Sequence, residues 1–397
     1  MKEISRIAAA VAPSATLAVD SRAKQMKADG LNVIGFGTGE PDFETPENIR
    51  AAGIDAINIG KTKYTPASGL PDLKRAVAAR LFADLGVQYE PSQIIIASGA
   101  KHNVFAALMA LCNPGDEVIV PAPYWVTYTE SVKIADATPV VVCAEESAGF
   151  KITAAQLEAA ITPKTKALIL NNPSNPTGML YSRDELRALA DVCVKHDLYI
   201  IADEIYYKLV YGGNEFVSIA TLGGDIMERT ILINGVSKSY AMTGWRIGFS
   251  ASSVELAKVM DNYLSHATSA PSTISQYAAI EALNGPQDTI EAMRKVFETR
   301  RNYLVERINA IDGISCIMPE GAFYVMINIR EQLGKTLGGT VINNADDFAL
   351  ALLEKGLVAL VSCTAFGDPN FVRMTYATSM EDITEGLNRI ERFLKGE

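Results

Sequence analysis

The stretch "LYIIADEIY", residues 198–206, is a short apolar run that stops abruptly at two carboxylates. Ile200, Ile201 and Ala202 leave no polar face, as expected for a strand covered by helices on both sides. Six more runs of similar length flank it: "QIIIAS" (93–98), "DEVIVPA" (116–122), "TPVVVCA" (138–144), "KALILNN" (166–172), "TILINGV" (230–236) and "RIGFSAS" (246–252). Helix-like segments such as 101–112, 183–196 and 253–265 lie among them. The alternation predicts an α/β fold with a mainly parallel, seven-stranded sheet. After residue 285 the pattern changes to a long charged helix (286–309), then short strands and helices. We therefore expect a large domain over 46–285 and a smaller α/β domain built from 1–45 and 286–397.

A chain of 397 residues is long for one hydrophobic core. Apolar residues make up 48% and charged residues 21%, an ordinary globular balance. The net charge of −10, with no basic stripe, argues against a nucleic-acid surface. Cysteines 112, 143, 193, 316 and 363 are scattered, odd in number and without a C-x-x-C, and read as buried reduced thiols. Histidines 102, 196 and 266 are equally dispersed, so no metal site is expected. Neither a charged leader with an apolar stretch nor an 18-residue apolar run occurs, which points to a cytoplasmic protein away from membranes.

Ligands of such sheets bind at the carboxyl ends of the strands, and the informative residues follow the apolar runs. After "QIIIA" comes Ser98-Gly99-Ala100-Lys101, a small-residue turn opening a helix, whose N–H groups suit a phosphate. After "KALIL" comes "NNPSNPTG" (171–178), and after "LYIIA" come Asp203, Glu204 and Tyr206. After "TILIN" comes "GVSKSYAMTGWRIG" (235–248), with Ser237, Lys238 and Arg246. "GFGTGE" (35–40) has the wrong spacing for a dinucleotide loop and no βαβ unit after it.

Each feature alone is an ordinary turn or cap. One chemistry needs them all. A lysine that joins an aldehyde cofactor needs a lowered proton affinity, from burial or nearby cations. Pyridoxal phosphate then needs a carboxylate at its pyridine nitrogen so that the ring accepts electrons. Lys238 takes the first role and Asp203 the second. Asn175 and Tyr206 suit the phenolic oxygen, and Trp125 in "PAPYW" suits the ring face. Ser98, Gly99, Ala100, Ser237 and Arg246 suit the phosphate.

These segments, with "GEPDFETPENI" (39–49), "KTKYTPASGLPDLKRAV" (61–77), "PEGAFYV" (319–325) and "VRMTYA" (372–377), resemble the class I pyridoxal-phosphate aminotransferases of fold type I. The resemblance covers nearly the whole chain. It implies a homodimer with active sites at the subunit interface, acting on amino acid and 2-oxo acid substrates by a ping-pong route. It implies that Arg373 grips the substrate α-carboxylate, which a planar guanidinium does bidentately. Gly39 would add a backbone N–H, Trp125 and Asn175 would also line the substrate side, and Tyr64 would reach the neighbouring subunit's phosphate.

Within the family, the chain is most similar to the bacterial aspartate aminotransferase subgroup. There a lysine in the phosphate turn, here Lys101, faces the distal carboxylate with help from the N-terminal loop "PSAT" (13–16), here Thr16. "LSHATSAP" (264–271) lacks the arginine that the mammalian-type subgroup brings from its other subunit. Aromatic, prephenate and alanine aminotransferases remain as alternatives. So do a C–S lyase on the same fold and a regulator that keeps the pocket without turnover.

Overall fold

The computed structural model describes residues 2–13 and 15–397, the side chains of residues 15–18 and 20 excepted. All seven apolar runs are strands of one sheet: Ile94–Ala97 (β1), Glu117–Ala122 (β2), Thr138–Cys143 (β3), Thr165–Asn171 (β4), Tyr199–Asp203 (β5), Thr230–Gly235 (β6) and Gly248–Ala251 (β7). Their order is β1-β7-β6-β5-β4-β2-β3. Only β7 runs antiparallel to its neighbours, with Ile94 opposite Ala251 and Gly235 opposite Gly248. The parallel strands end on the same side, so Asn171, Asp203 and Gly235 come out along one edge.

The central strands are apolar because both faces are covered. Every residue of β6 is buried. One face packs against Val104, Leu108 and Met260, the other against Leu73, Val77 and Ala278. β3 is the exception. It is an edge strand whose residues are exposed or half-buried, so Cys143 is exposed. Cys112, which ends a helix, is half-buried, and only Cys193, Cys316 and Cys363 are the buried thiols expected of all five.

The three helices read from the sequence form over Ala100–Leu111 (α1), Arg183–Lys195 (α2) and Val254–Ala267 (α3). Ser182 caps α2 in a reciprocal box with Glu185, and Ser253 caps α3. The long charged helix starts at Asp288 and runs to Asn309 (α4), Pro286 standing just ahead of its first turn. Residues 15–28 are helical, so "PSAT" runs into a helix where a loop was expected. The stretch that follows it, with Ala, Leu, Lys, Gln and Met, is made of good helix formers.

A second sheet joins Val361–Ser362 (β9), Phe371–Thr375 (β10) and Tyr324–Asn328 (β8) in antiparallel pairs. Ile34–Gly35 pairs in parallel with Val358–Ala359, which brings the N-terminal segment against the C-terminal third. Phe36, Phe297, Phe323, Phe348 and Tyr376 fill the core beneath. Arg373 on β10 thus faces the carboxyl edge of the large sheet from the opposite side of a cleft.

Candidate active site

A cavity of about 430 Å³ lies in that cleft, lined by residues from both sheets and from the 37–40 loop. Lys238 stands in the loop that leaves β6. Burial lowers its pKa to about 8, with Arg373 and Arg246 pushing the same way and Glu40 opposing. Its Nζ donates to the Gly39 carbonyl at 2.5 Å and lies over the Tyr206 and Phe323 rings. A deeply buried amine with this proton affinity is substantially neutral near pH 8, hence nucleophilic.

Asp203 ends β5, 2% exposed. It accepts hydrogen bonds from the Tyr128 hydroxyl at 2.8 Å and from the Ile205 N–H at 3.2 Å. Burial still pushes its carboxyl up to about 6, and it forms no salt bridge among the described residues. Asn171, at the end of β4, braces the next turn: its amide donates to the Asp203 carbonyl and its oxygen accepts from the Asn175 N–H. Asn175 Oδ1 in turn accepts from Arg373 Nη1 at 3.0 Å, which leaves the Asn175 amide N–H₂ free to donate into the cavity.

Arg373 is 2% exposed, donates Nη2 to the Gly37 carbonyl at 2.7 Å and lies 4.4 Å from the centre of the Tyr324 ring. Its Nε is buried with no partner among the described residues, a charged donor with nothing yet to hold. At the other end, the Gly99 cap and Ala100 open α1, and the Arg246 guanidinium packs on Gly99 while donating to the Ser98 and Thr243 carbonyls. A Cβ on Gly248 would collide with the Ala100 amide, so glycine is what lets β7 pass this turn. Helix N–H groups, a guanidinium and the Ser237 loop together could hold an anion.

Of the residues singled out from sequence, Gly39, Ala100, Lys101, Trp125, Asn175, Asp203, Tyr206, Ser237, Lys238, Arg246 and Arg373 line this one cavity. Ser98 and Gly99 sit just behind it, Ser98 on an adjoining cavity of about 810 Å³ that shares Lys101 and Arg246. Tyr64 does not line the cavity and is fully exposed. The side chain of Thr16 lies outside the described residues. Lys101 Nζ stands 4.9 Å from the centre of the Trp125 indole, and burial and Arg246 lower its pKa.

Sequence reasoning missed Tyr128, Tyr324, Asn171, Glu40 and Thr243. Tyr324 sits inside the quoted "PEGAFYV" and Tyr128 three residues past "PAPYW", but a tyrosine's partner is not written in its neighbours. It also missed Arg300 on α4. Arg300 grips Asp42 bidentately, two bonds of 2.8 Å, between the Phe43 and Phe297 rings, and so anchors the loop that carries Gly39. The 35–40 loop set aside as a dinucleotide site is thus a wall of the cavity.

The fold and this cavity define a site for amine–carbonyl chemistry at the carboxyl edge of a doubly wound sheet. The chain belongs to the aminotransferases of class I and II, whose family model matches residues 32–390. It is 49% identical to the aspartate aminotransferase of Geobacillus stearothermophilus over 395 residues, covering 100% of this chain and 99% of that one. It is 47% identical to the aspartate/prephenate aminotransferase of Cereibacter sphaeroides, with 100% of both chains covered. The crystal structure of the aspartate aminotransferase from Rhizobium meliloti superposes with a TM-score of 0.96 at 44% identity, covering 100% of this chain and 99% of that one.

Proposed function

We propose that the protein moves the amino group of aspartate to 2-oxoglutarate, with pyridoxal 5′-phosphate held at Lys238, giving oxaloacetate and glutamate by a ping-pong route. The observation that carries the reading is the pair at the heart of the cavity, a buried lysine lowered to about 8 and a buried carboxylate at Asp203 with no salt bridge among the described residues.

The residues present fit the cofactor. Asp203 would hold the pyridine nitrogen, Tyr206 and Asn175 the phenolic oxygen, and Trp125 the ring face. Ser98, Gly99, Ala100, Ser237 and Arg246 would hold the phosphate. When bound, the group supplies an aldehyde for the amine and an electron sink for the substrate Cα. The rest is done by the chain. Arg373, with the Gly39 N–H, would fix the α-carboxylate, replacing the contact Arg373 now makes with Gly37. Lys238, once displaced by the substrate amine, would take the proton from Cα. Lys101 would meet the distal carboxylate, with Thr16 beside it.

The same reading makes the enzyme a cytoplasmic homodimer, with domains at 46–285 and at 1–45 plus 286–397. The exposed Tyr64 and the exposed Ile54, Ile57 and Ile59, all within residues 54–64, support a second copy covering this segment. The pairing of 34–35 with 358–359 supports the domain division. Among the described residues no helix is long and apolar enough to cross a membrane.

A panel of amino donors with 2-oxoglutarate tests the substrate, prephenate being added as acceptor because one relative carries both names. Aspartate is expected to give the highest kcat/KM. Cystathionine cleaved to pyruvate and ammonia without an acceptor would instead identify a lyase.

A further inference from the structure

Tyr324, on β8, touches three parts of the site at once. Its hydroxyl lies 3.1 Å from the Tyr206 hydroxyl, and both groups are buried. Its ring carries the Arg373 guanidinium 4.4 Å from the centroid. A Cβ built on Gly39 would come within 2.8 Å of its hydroxyl. No other hydrogen bond of that hydroxyl occurs among the described residues, and the side chain is 1% exposed. A buried phenol does not stay unpaired cheaply. Only one arrangement leaves Tyr206 able to donate into the cavity: Tyr324 gives its proton to the Tyr206 oxygen. Two hydroxyls in series polarise each other, and the cation on the Tyr324 ring strengthens its O–H as a donor.

We propose that Tyr324 is a positioning residue that acts through Tyr206, donating to its oxygen so that Tyr206 donates more strongly to the cofactor's phenolic oxygen, and that it ties this to the Arg373 grip. The inference rests on the reading of the site given above. It goes beyond it in assigning electronic control of the cofactor to a residue on the opposite sheet. A strong donor at the phenolic oxygen draws charge away from the linkage between Lys238 and the cofactor, so that linkage gives up its proton at lower pH. Removing the Tyr324 hydroxyl weakens the donor and should raise the pH of that titration.

The experiment is a spectrophotometric pH titration of the reconstituted enzyme, following the cofactor bands, in wild type, Tyr324→Phe, Tyr206→Phe and the double variant. Tyr324→Phe keeps the ring under Arg373 and should shift the midpoint upward by about half a pH unit. Tyr206→Phe should shift it further, and adding Tyr324→Phe to Tyr206→Phe should add nothing, because the relay is already cut. Gly39→Ala, which presses on the Tyr324 hydroxyl from another segment, should reproduce the upward shift if Tyr324→Phe folds poorly. An unchanged midpoint in Tyr324→Phe, or fully additive shifts in the double variant, overturns the proposal. A wild-type band that persists in Lys238→Ala would instead overturn the reading of the site itself.

Discussion

Lys101 gives the sharpest handle on specificity. It sits in the first turn of α1, where a cation opposes the helix dipole. It forms no ion pair among the described residues, and burial and Arg246 lower its pKa. A cation held there at such a disadvantage is what the proposed distal carboxylate would explain, although the side chain is solvent-exposed without it. Replacing it with methionine keeps the stem against Trp125 and removes the charge. Two unit charges 4 Å apart are worth about 1 kcal/mol in water and about 4 kcal/mol at a protein-like dielectric. Lys101 lies between these limits, so the loss is about 2–3 kcal/mol, or roughly 30- to 150-fold in kcat/KM for aspartate. Alanine has no distal charge and should change by less than about threefold. The assay is kcat/KM for both donors with 2-oxoglutarate, in Lys101→Met and wild type. If the ratio of the two donors does not move while both values fall together, Lys101 serves the phosphate or the fold, and the reasoning fails.

Asp203→Asn keeps one acceptor oxygen, for the Ile205 N–H, while the Tyr128 hydroxyl can turn to accept from the new amide. The charge is lost, and kcat should fall about 100-fold or more; a change within a few-fold would make Asp203 structural only. Because burial lowers Lys238 to about 8, the rate of cofactor capture by the apo protein should rise about tenfold from pH 6 to 7 and level off above pH 8; stopped-flow absorbance reads this, and a flat profile contradicts it. Glu204 is buried beside Asp203, one oxygen without a partner among the described residues, and burial raises it from 4.5 to about 8. The folded state therefore holds a proton across that window that the unfolded state lacks, so stability falls as pH rises through it. Glu204→Gln should melt near wild type at pH 5 and clearly above it at pH 8.5; a constant difference would contradict this. For the dimer, mixing Tyr64→Phe and Lys238→Ala protomers should restore cofactor retention in part, and an active monomer by sedimentation would refute the shared site.

The large sheet was legible because burial on both faces writes itself as unbroken Ile and Val, and β6 is the plainest case. The edge strand β3 shows where the pattern stops informing: "TPVVVC" is as apolar as its neighbours, yet its residues are exposed or half-buried. Residues just past each strand were legible too, since a parallel sheet delivers them to one edge. Arg373 could be assigned only through the family resemblance, because its strand belongs to the other sheet and its approach to Asn175 spans 198 residues. Arg300 and Tyr324 were hidden for the same physical reason. Their partners, Asp42 and Tyr206, are fixed by packing of distant segments, which local pattern does not encode. "PSAT" failed as a loop because its polar look was local, while helix formers followed it.

The central claim is that Lys238 is the residue that bonds the cofactor. Reconstitution with pyridoxal phosphate, reduction with borohydride, proteolysis and mass spectrometry test it most directly. The account predicts one stable phosphopyridoxyl group per chain, on the peptide containing Lys238. A label on Lys101 or another lysine, or none at all, would contradict it.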